Sequence, residues 1–449
     1  MPIILWTDAL VFLLIACGIG SGFYIGRREY LLASWRRVGE SRAGMAALTV
    51  LAAFIVLGLL DSLHYRPRLE AVAGQPANGY SSEVRSALDA LLLPLRSGTE
   101  KTYSAPLATH LYARETVELP DGTQARVFPR LRHGGAHLQD PVEEWARDVS
   151  WRVARGLAFA VLAGLTFAAI AVQAAALRWG VGWPAAWRRI RRGETQFAWN
   201  AVLATLAVLL LLGGPVAALA GGYHVFGTDK VGQDVLYLTL KSIRTGLVIG
   251  TITTLAMLPF AVALGIVAGY LGGWVDDVIQ YLYTTLNSIP GVLLIAASVL
   301  MMQVVIDTHP DWFATSAQRA DARLLALCFI LGVTSWTGLC RLLRAETLKL
   351  RELDYVQAAQ AFGASATGIM GRHILPNVMH IVLIAVVMDF SGLVLAEAVL
   401  SYIGIGVDPS TISFGTMINT ARLELAREPV VWWSLVAAFA FMFVLVLAA

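Results

Sequence analysis

The sequence has 449 residues, of which 57% are hydrophobic and only 14% are charged, and its mean hydropathy is +0.65. Soluble domains carry about 25% charged residues because their surfaces are wetted, so this composition excludes an ordinary soluble protein and indicates an integral membrane protein. The net charge of +3 is too small to indicate nucleic-acid binding. The three cysteines, Cys17, Cys328 and Cys340, are scattered through apolar stretches and predict neither a disulfide framework nor a metal site.

Nine hydrophobic runs are predicted to cross the membrane as helices, so the predicted fold class is all-α. A transmembrane helix needs about 20 mostly apolar residues, and each run approaches that length. Pro290, Asp389 and Glu397 are expected to interrupt their runs without ending them. The runs span residues 2–25, 43–60, 157–177, 197–219, 246–267, 278–306, 324–340, 378–399 and 430–449.

Basic residues are concentrated in every second loop between these runs. Cytoplasmic loops carry an excess of Lys and Arg, so strict alternation predicts an external N-terminus and a cytoplasmic C-terminus. The basic loops contain Arg27, Arg28, Arg36, Arg37 and Arg42 after the first run, Arg178, Arg188, Arg189, Arg191 and Arg192 after the third, and Arg341, Arg344, Lys349, Arg351 and Arg372 after the seventh.

The runs divide the chain into four predicted parts. Residues 1–63 hold the first two runs, and 64–150 form a polar segment on the external side. Residues 151–222 hold two more runs with a basic linker, and 223–449 hold the remaining five. Within the external segment, His133 and His137 have the spacing of a helical metal-binding pair, but the two glycines between them disfavour a helix and predict a turn.

A Trp-Arg-Arg sequence occurs twice, at 35–37 and at 187–189. Each copy precedes a hydrophobic run and predicts an amphipathic helix at the inner membrane interface, where Trp and Arg both prefer the headgroup level. Duplication of an N-terminal segment and convergence on the same interfacial chemistry both explain the repeat.

The usual catalytic motifs are missing from the sequence. It contains no phosphate-binding loop, no paired-histidine zinc helix and no Gly-x-Ser-x-Gly turn. We therefore expect this chain to have no catalytic residues, no metal site and no cofactor of its own.

The most informative segment, residues 353–377, follows the seventh run on the predicted cytoplasmic side. It begins with a short Ala-rich helix that has Val356, Ala359 and Phe362 near one face, and Gly363 is expected to end that helix. A second short helix should follow, with Pro376 at the next boundary. Two interpretations remain open on these grounds: a helix that docks into a groove of another protein, or an ordinary interhelix loop.

This segment resembles the EAA loop of ABC importer permeases, which has the pattern Glu-Ala-Ala-x3-Gly-x9-Ile-x-Leu-Pro. Gln357 stands at the Glu position and His373 at the Ile position, which puts an ion pair at the former in doubt but leaves the docking helix intact. The ending of the segment is similar to the dipeptide/oligopeptide branch of the family. The resemblance assigns ATPase coupling to Gln357, Ala358, Ala359, Phe362, Gly363, His373, Leu375 and Pro376.

Residues 226–235 resemble the external Gly-Thr-Asp-x-x-Gly-Arg-Asp signature of the same branch, with Gln233 at the Arg position. Segments 268–276, 288–291 and 396–406 are also similar to that branch, so the resemblance extends from about residue 187 to the C-terminus. The signature residues are Gly227, Thr228, Asp229, Gly232 and Asp234.

The resemblance implies a type I ABC importer permease core with extra N-terminal helices and an external segment. Such a subunit lies in the inner membrane, contacts lipid, and forms the path for dipeptides or oligopeptides. It pairs with a second permease, two cytoplasmic ATPases that bind ATP and Mg, and an external solute-binding protein. Nickel or another non-peptide solute is an alternative cargo, and an ion-coupled secondary transporter is an alternative class.

Two acidic residues, Asp389 and Glu397, lie within the eighth run and share one helix face because they are eight residues apart. Each either lines the pathway or makes structural hydrogen bonds. Glu397 falls in a family motif, which favours a structural role, whereas Asp389 does not. Lys241 and Arg244 are predicted to lie on an interfacial helix with their charges directed outward.

Overall fold

The computed structural model describes residues 1–27, 39–68, 80–81, 83–118, 124–313 and 315–449. Helices account for nearly all of the regular structure in these residues, which confirms the predicted all-α class. They are α1 (Trp6–Gly26), α2 (Arg42–Ser62), α3 (Ala87–Leu91), α4 (Leu93–Ser97), α5 (Pro141–Trp179), α6 (Trp183–Arg192), α7 (Trp199–Ala220), α8 (Val235–Leu271), α9 (Gly273–Ser288), α10 (Gly291–Thr308), α11 (Ser316–Ser335), α12 (Thr337–Arg351), α13 (Asp354–Ala361), α14 (Ala366–Ile369), α15 (Leu375–Ile403), α16 (Phe414–Glu424) and α17 (Trp433–Ala448).

Eight helical stretches in the described part of the chain are long and apolar enough to cross a membrane, and α17 adds a shorter apolar helix of 16 residues. The predicted run 278–306 is not one helix. It divides into α9 and α10 at Pro290, so the expectation that this proline interrupts the run without ending it is wrong. Ile289, the residue before the proline, has extended backbone angles that no α-helix accepts.

The two Trp-Arg-Arg copies differ in what the structure describes. The copy at 35–37 lies outside the described residues, together with Arg28 of the same basic loop. The copy at 187–189 lies in α6, which buries Ala186 and Ile190 and exposes its arginines. This second copy therefore forms the amphipathic helix that was predicted for it.

Short strands occur at the N-terminus and in the segment 64–150, which was predicted to be external. β1 (Pro2–Ile3), β2 (His64–Tyr65) and β3 (Arg85–Ser86) form an antiparallel sheet in that order, and β4 (Glu115–Glu118) pairs with β5 (Gln124–Val127) as a hairpin. The segment gives way to helix earlier than predicted. Asp140 caps α5 by accepting a hydrogen bond from the backbone N–H of Val142, and α5 continues through the predicted boundary at residue 150 without a break.

The described residues form two compact units. The first contains Met1–Ile3, Phe12–Arg244 and Ile412–Ala449, and the second contains Ile4–Val11 and Thr245–Thr411. The division of the chain into the four parts predicted from the sequence stays a prediction, but the first unit places the polar segment and α16–α17 together although they are far apart in sequence.

Glycines bring two helices of the second unit into backbone contact. A Cβ added at Gly265 would lie 2.8 Å from the carbonyl oxygen of Cys340, and one at Gly269 would lie 2.7 Å from that of Arg344. These two glycines are four residues apart and lie on one face of α8, the spacing that allows close approach of membrane helices. The contact holds α12, which leads directly into the segment 353–377.

Candidate coupling loop and external turn

Helix α13 is the start of the segment predicted to couple to an ATPase, and it is only partly buried. Val356 is fully buried, and Ala359 packs against the same apolar cluster. Gln357 and Ala358 are exposed on the opposite side. The helix is therefore anchored by one narrow apolar face, while the other face is available to another protein.

The end of α13 is a glycine cap of the Schellman type. The N–H of Gly363 donates to the carbonyl of Gln360 at 3.0 Å, and the N–H of Ala364 donates to that of Ala359 at 3.1 Å. Gly363 has φ +81°, in the left-handed region that disfavours any residue with a Cβ. The residue before it, Phe362, leaves 92% of its surface exposed, so a large aromatic ring projects from the loop.

The chain then returns to the membrane through a continuous helical stretch. Ser365 caps α14 by accepting a hydrogen bond from the N–H of Gly368, and a π-helical turn over Met370–Ile374 joins α14 to α15. Ile369 and Ile374 are fully buried. Pro376 is the second residue of α15 and follows directly after the π-helical turn.

A hydrogen bond joins the two ends of the segment. The side-chain amide of Asn377 donates to the hydroxyl of Tyr355 at 3.0 Å and to the carbonyl of His373 at 2.7 Å. His373 and Leu375 are partly buried, so they support the loop instead of projecting from it. The side chain of Gln357 donates to the carbonyl of Glu352 at 3.2 Å, a bond that the family glutamate could not donate.

A polar notch of about 740 Å³ opens beside α13. Arg351 and Glu352 lie on one side of it, and Arg351 also donates to the carbonyl of Tyr270 at 3.4 Å. Gln357 and Gln360 contribute amide groups from the helix. The notch therefore offers both hydrogen-bond donors and hydrogen-bond acceptors near the end of α13, where the ring of Phe362 is exposed.

The predicted external signature forms a tight turn that binds other parts of the first unit. The backbone N–H of Ser104 donates to the hydroxyl of Thr228 at 2.6 Å, and that hydroxyl donates to the carbonyl of Thr102 at 2.9 Å. Asp229 accepts hydrogen bonds within the turn, from the N–H groups of Val231 and Gln233. The turn therefore holds the polar segment by backbone and side-chain hydrogen bonds.

Two glycines make this close approach possible. Gly227 and Gly232 have φ +72° and +76°. A Cβ at Gly232 would overlap the backbone carbonyl of Glu100, and the N–H of Glu100 donates to the carbonyl of Gly232 at 2.9 Å. Gly227 and Gly232 are therefore required for steric reasons, independently of any role in transport.

A buried charged cluster lies beside the turn. His224 Nδ1 is 2.7 Å from Asp234, and its Nε2 is 3.5 Å from Glu100, a separation that favours electrostatic attraction over a well-formed hydrogen bond. Burial alone would lower the pKa of His224, but the two carboxylates outweigh it and raise that pKa to about 9. His224 is therefore an imidazolium cation at neutral pH.

Glu100 is held in a further set of hydrogen bonds. Its carboxylate accepts the backbone N–H groups of Arg132, His133 and Gly134 at 2.9, 2.7 and 3.2 Å. Burial alone would raise the pKa of Glu100, but His224 and these N–H groups outweigh it and lower that pKa to about 2. The sequence indicated a turn near His133, and the structure adds the reason: its N–H groups bind a buried anion.

His137 has a hydrogen-bonding partner of its own, separate from the turn that contains His133. His137 Nε2 is 2.7 Å from the carboxylate of Asp148, which also accepts a hydrogen bond from Arg152. Within the described ranges, no group of three or more His, Cys, Asp or Glu residues has the geometry to hold a metal ion.

Lys241 is placed differently from its prediction. Its ammonium group is 2.8 Å from Asp61 and 3.0 Å from Asp89, and its side chain is 15% exposed. The expectation that this charge points outward is wrong, because the carboxylates compensate its burial. Arg244 is also buried and donates to the hydroxyl of Ser62 at 3.2 Å. These contacts attach α8 to α2 and α3 within the first unit.

The two acidic residues of α15 differ in their surroundings. Glu397 is buried and accepts a hydrogen bond from Ser401 at 2.6 Å. Asp389 is partly buried, and within the part of the chain that the structure describes no hydrogen-bonding or ion-pairing partner faces it. Glu397 is therefore held within the protein, whereas the carboxylate of Asp389 is available to another molecule.

Residues 261–449 match the family model described as "Binding-protein-dependent transport system inner membrane component". This region contains α9 to α17 and the whole of the segment 353–377. Over this region, the chain is similar to the permeases that this family model describes. The polar segment and α1 to α7 lie outside the matched residues, so the chain has a large N-terminal part that the family model does not describe.

The curated relatives that the chain resembles are permeases named for the transport of peptides. The chain is 32% identical over 206 residues to the dipeptide transport system permease protein DppC of Lactococcus lactis. The aligned region covers 46% of this chain and 55% of the relative. It is 29% identical over 228 residues to the oligopeptide transport system permease protein OppC of Mycobacterium bovis, covering 51% and 72%. It is 28% identical over 206 residues to the glutathione transport system permease protein GsiD of Pectobacterium atrosepticum, covering 46% and 62%. The chain thus spans little more than half of the Lactococcus relative's length.

Proposed function

We propose that this permease is the membrane-spanning subunit of an ATP-driven importer of short peptides. The cargo class rests on the names of the relatives, since a dipeptide, an oligopeptide and the tripeptide glutathione are all short peptides. The proposal that transport is driven by ATP rests on the exposed loop around Phe362. Its ring has no apolar cover among the described residues of this chain, although burying it would be favourable by about 2 kcal/mol.

The proposed coupling works through the rigid attachment of this loop. A cytoplasmic ATPase would receive α13 and the ring of Phe362 in a cleft, and movement of the ATPase would be transmitted through both ends of the segment. Arg344 pairs with Asp276 through two hydrogen bonds, the longer of them 2.6 Å, so α12 is fastened to α9 just before the loop. α15 leaves the other end and carries Asp389 toward the membrane interior.

The remaining subunits and the orientation complete the proposal. A second permease would complete the pathway, two ATPases would bind ATP and Mg, and an external solute-binding protein would deliver the peptide. The arginine-rich loops favour a cytoplasmic position for α6 and the segment 353–377, with the N-terminus outside and the C-terminus inside. No catalytic residue is proposed in this chain, because hydrolysis would occur in the ATPases.

The test is co-purification of the ATPase with tagged permease variants from cells that express the complete transporter, together with uptake of a labelled dipeptide. Phe362→Ala and Ala358→Trp alter only exposed positions, so both should insert normally and lose ATPase association. Gly363→Val should misdirect the chain after α13, because a β-branched residue is strained at the positive φ of this position. The added side chain would meet no neighbouring atom, so the effect would come from the backbone conformation alone.

Gln357→Glu is the matched control, because it restores the family residue on the same helix with nearly the same volume. It should retain the ATPase and uptake. Full ATPase binding and normal uptake in Phe362→Ala, Ala358→Trp and Gly363→Val together would exclude this loop as the coupling element.

A further inference from the structure

An apolar groove lies between α5 and α7, outside the part of the chain that matches the permease family. The two helices are closest at Gly156 and Gly214, where a Cβ on Gly156 would lie 2.7 Å from the carbonyl oxygen of Gly214. Farther along, small residues leave a space of about 400 Å³ between the helices. It is lined by Ala160, Gly164, Leu165, Leu203, Ala207 and Leu211.

The groove opens toward the hydrocarbon of the membrane. Leu165 and Leu211 are exposed although they are large and apolar, and both α5 and α7 are long enough to span a bilayer. Apolar side chains in this position are stable only in contact with lipid tails or another apolar chain. A Cβ added at Gly164 would have only Leu210 within 4 Å, so the gap between the helices suits a single flexible chain better than a helix.

Helix α6 closes one end of the groove with aromatic and cationic groups. Ala186 and Ile190 are buried and fix the helix against α5 and α7. Next to these residues on the helix surface, Trp187 and Arg191 line the groove together with Ile190. This placement puts a guanidinium group at the point where an apolar chain in the groove would reach its polar end.

Further positive charge surrounds this end. Arg42, at the start of α2, places Nη2 3.7 Å from the position that a Cβ on Gly193 would occupy, immediately after α6. Arg192 has a distant carboxylate neighbour, Glu194, at 3.9 Å. Among the described residues, no carboxylate pairs with Arg191. The local charge is therefore an excess of cations beside an apolar groove.

We infer that this groove binds one anionic phospholipid, with an acyl chain between α5 and α7 and the phosphate at Arg191 and Arg42. Acyl chains gain little by moving from the bilayer into an apolar groove, so selectivity must come from the headgroup. Basic pockets between membrane helices are suited to anionic headgroups, and Trp187 is suited to the interfacial level. Charge complementarity favours this occupant over a helix from another protein, which would leave the guanidinium unpaired.

The test is native mass spectrometry of the intact transporter, purified after equilibration with vesicles of phosphatidylglycerol and phosphatidylcholine in equal amounts. We expect phosphatidylglycerol to be retained in preference to phosphatidylcholine. Arg191→Gln should reduce that retention at least fivefold, and Arg191→Lys should preserve most of it. Gly164→Phe should fill the groove and displace the lipid while leaving the headgroup cations in place.

Arg188→Gln is the matched control, because it removes the same charge from the same helix at a residue outside the groove. Equal loss in Arg188→Gln and Arg191→Gln would overturn the proposal in favour of diffuse surface attraction. Equal retention of the two lipids, or a small apolar polypeptide retained instead of lipid, would also overturn it. If Gly164→Phe fails to assemble, the three arginine variants decide the question alone.

Discussion

The side-chain amide of Asn377 donates a hydrogen bond of 3.0 Å to the hydroxyl of Tyr355, and this bond joins the beginning of α13 to the beginning of α15. The two residues flank the exposed loop, so the hydrogen bond connects the two ends of the loop. A closed loop transmits displacement at its tip to the membrane helix, whereas an open one would bend. The bond therefore has a testable consequence for coupling.

Tyr355→Phe should loosen the loop without unfolding the permease. Loss of one hydrogen bond costs about 1 kcal/mol, so hydrogen exchange of the backbone between residues 353 and 377 should become roughly fivefold faster. Peptide uptake per ATP hydrolysed should fall. Tyr281→Phe, which removes a hydroxyl from an exposed tyrosine on α9, is the control; equal exchange in the two variants would show that the bond does not restrain the loop.

The position of this loop could be predicted from the sequence, but its internal support could not. The Ala-rich stretch and Gly363 are local signals, and both the short helix and its glycine cap are present. The sequence does not show which alanine faces outward. Ala359 packs inward, so Ala358 is the better position for a steric block. The bond from Asn377 to Tyr355 depends on how α15 returns beside α13, which no local pattern specifies.

The charge of His224 should make attachment of the polar segment depend on pH. Its pKa is raised in the folded protein, so its stabilising contribution is complete below its unfolded pKa of about 6.5 and is lost as pH rises through about 9. Glu100 has a lowered pKa, so its contribution is complete above an unfolded pKa of about 4.5 and is lost as pH falls through about 2.

The measurement is limited proteolysis of the polar segment between pH 5.5 and 9.5. Cleavage should be slowest near pH 5.5 and should accelerate as pH approaches 9. His224→Gln should be cleaved quickly at every pH, because it leaves two buried carboxylates without a cation, at a cost of about 3 kcal/mol or more. An unchanged cleavage rate across this range in the unaltered protein would contradict the assignment.

Gly232→Ala should release the polar segment by a steric route. The added Cβ overlaps the carbonyl of Glu100 and also occupies a left-handed conformation, so the free energy of unfolding should fall by about 2 kcal/mol or more. Gly221→Ala is the control, because its Cβ would meet nothing within 4 Å and its φ is −73°. Thermal unfolding of both variants distinguishes the outcomes; similar midpoints would mean that the turn adjusts freely.

Long-range ion pairs are the part of the fold that sequence reasoning missed. Lys241 and Asp61 are 180 residues apart, and Asp89 joins them from a segment with no family resemblance. A lysine next to an apolar run fits an interfacial position equally well on local grounds, and only the tertiary contacts show that its charge is compensated inside the protein. By contrast, hydropathy alone located the membrane-spanning runs, although α5 and α8 begin well before the predicted runs 157–177 and 246–267 and the run 278–306 breaks at Pro290.

Membrane orientation can be tested with single cysteines in a background that lacks Cys17, Cys328 and Cys340. Gln139→Cys lies in the polar segment and Gln196→Cys follows α6, and both positions are exposed. An impermeant thiol reagent should label Gln139→Cys in intact cells, and Gln196→Cys only after the membrane is opened. Labelling of both in intact cells would contradict the proposed alternation of basic and non-basic loops.

Asp389 should contribute a negative charge to the transport pathway. Asp389→Asn preserves its volume and removes the charge, so uptake should fall by at least about tenfold, equivalent to about 1.4 kcal/mol, while assembly and ATP hydrolysis persist. Asp389→Leu should assemble equally well, because the described residues provide the carboxylate with no partner to lose. Glu397→Leu should instead impair assembly, since it removes the carboxylate that accepts a hydrogen bond from the buried hydroxyl of Ser401. Uptake and subunit recovery are measured together; normal uptake in Asp389→Asn with failed assembly in Asp389→Leu would make Asp389 a structural residue.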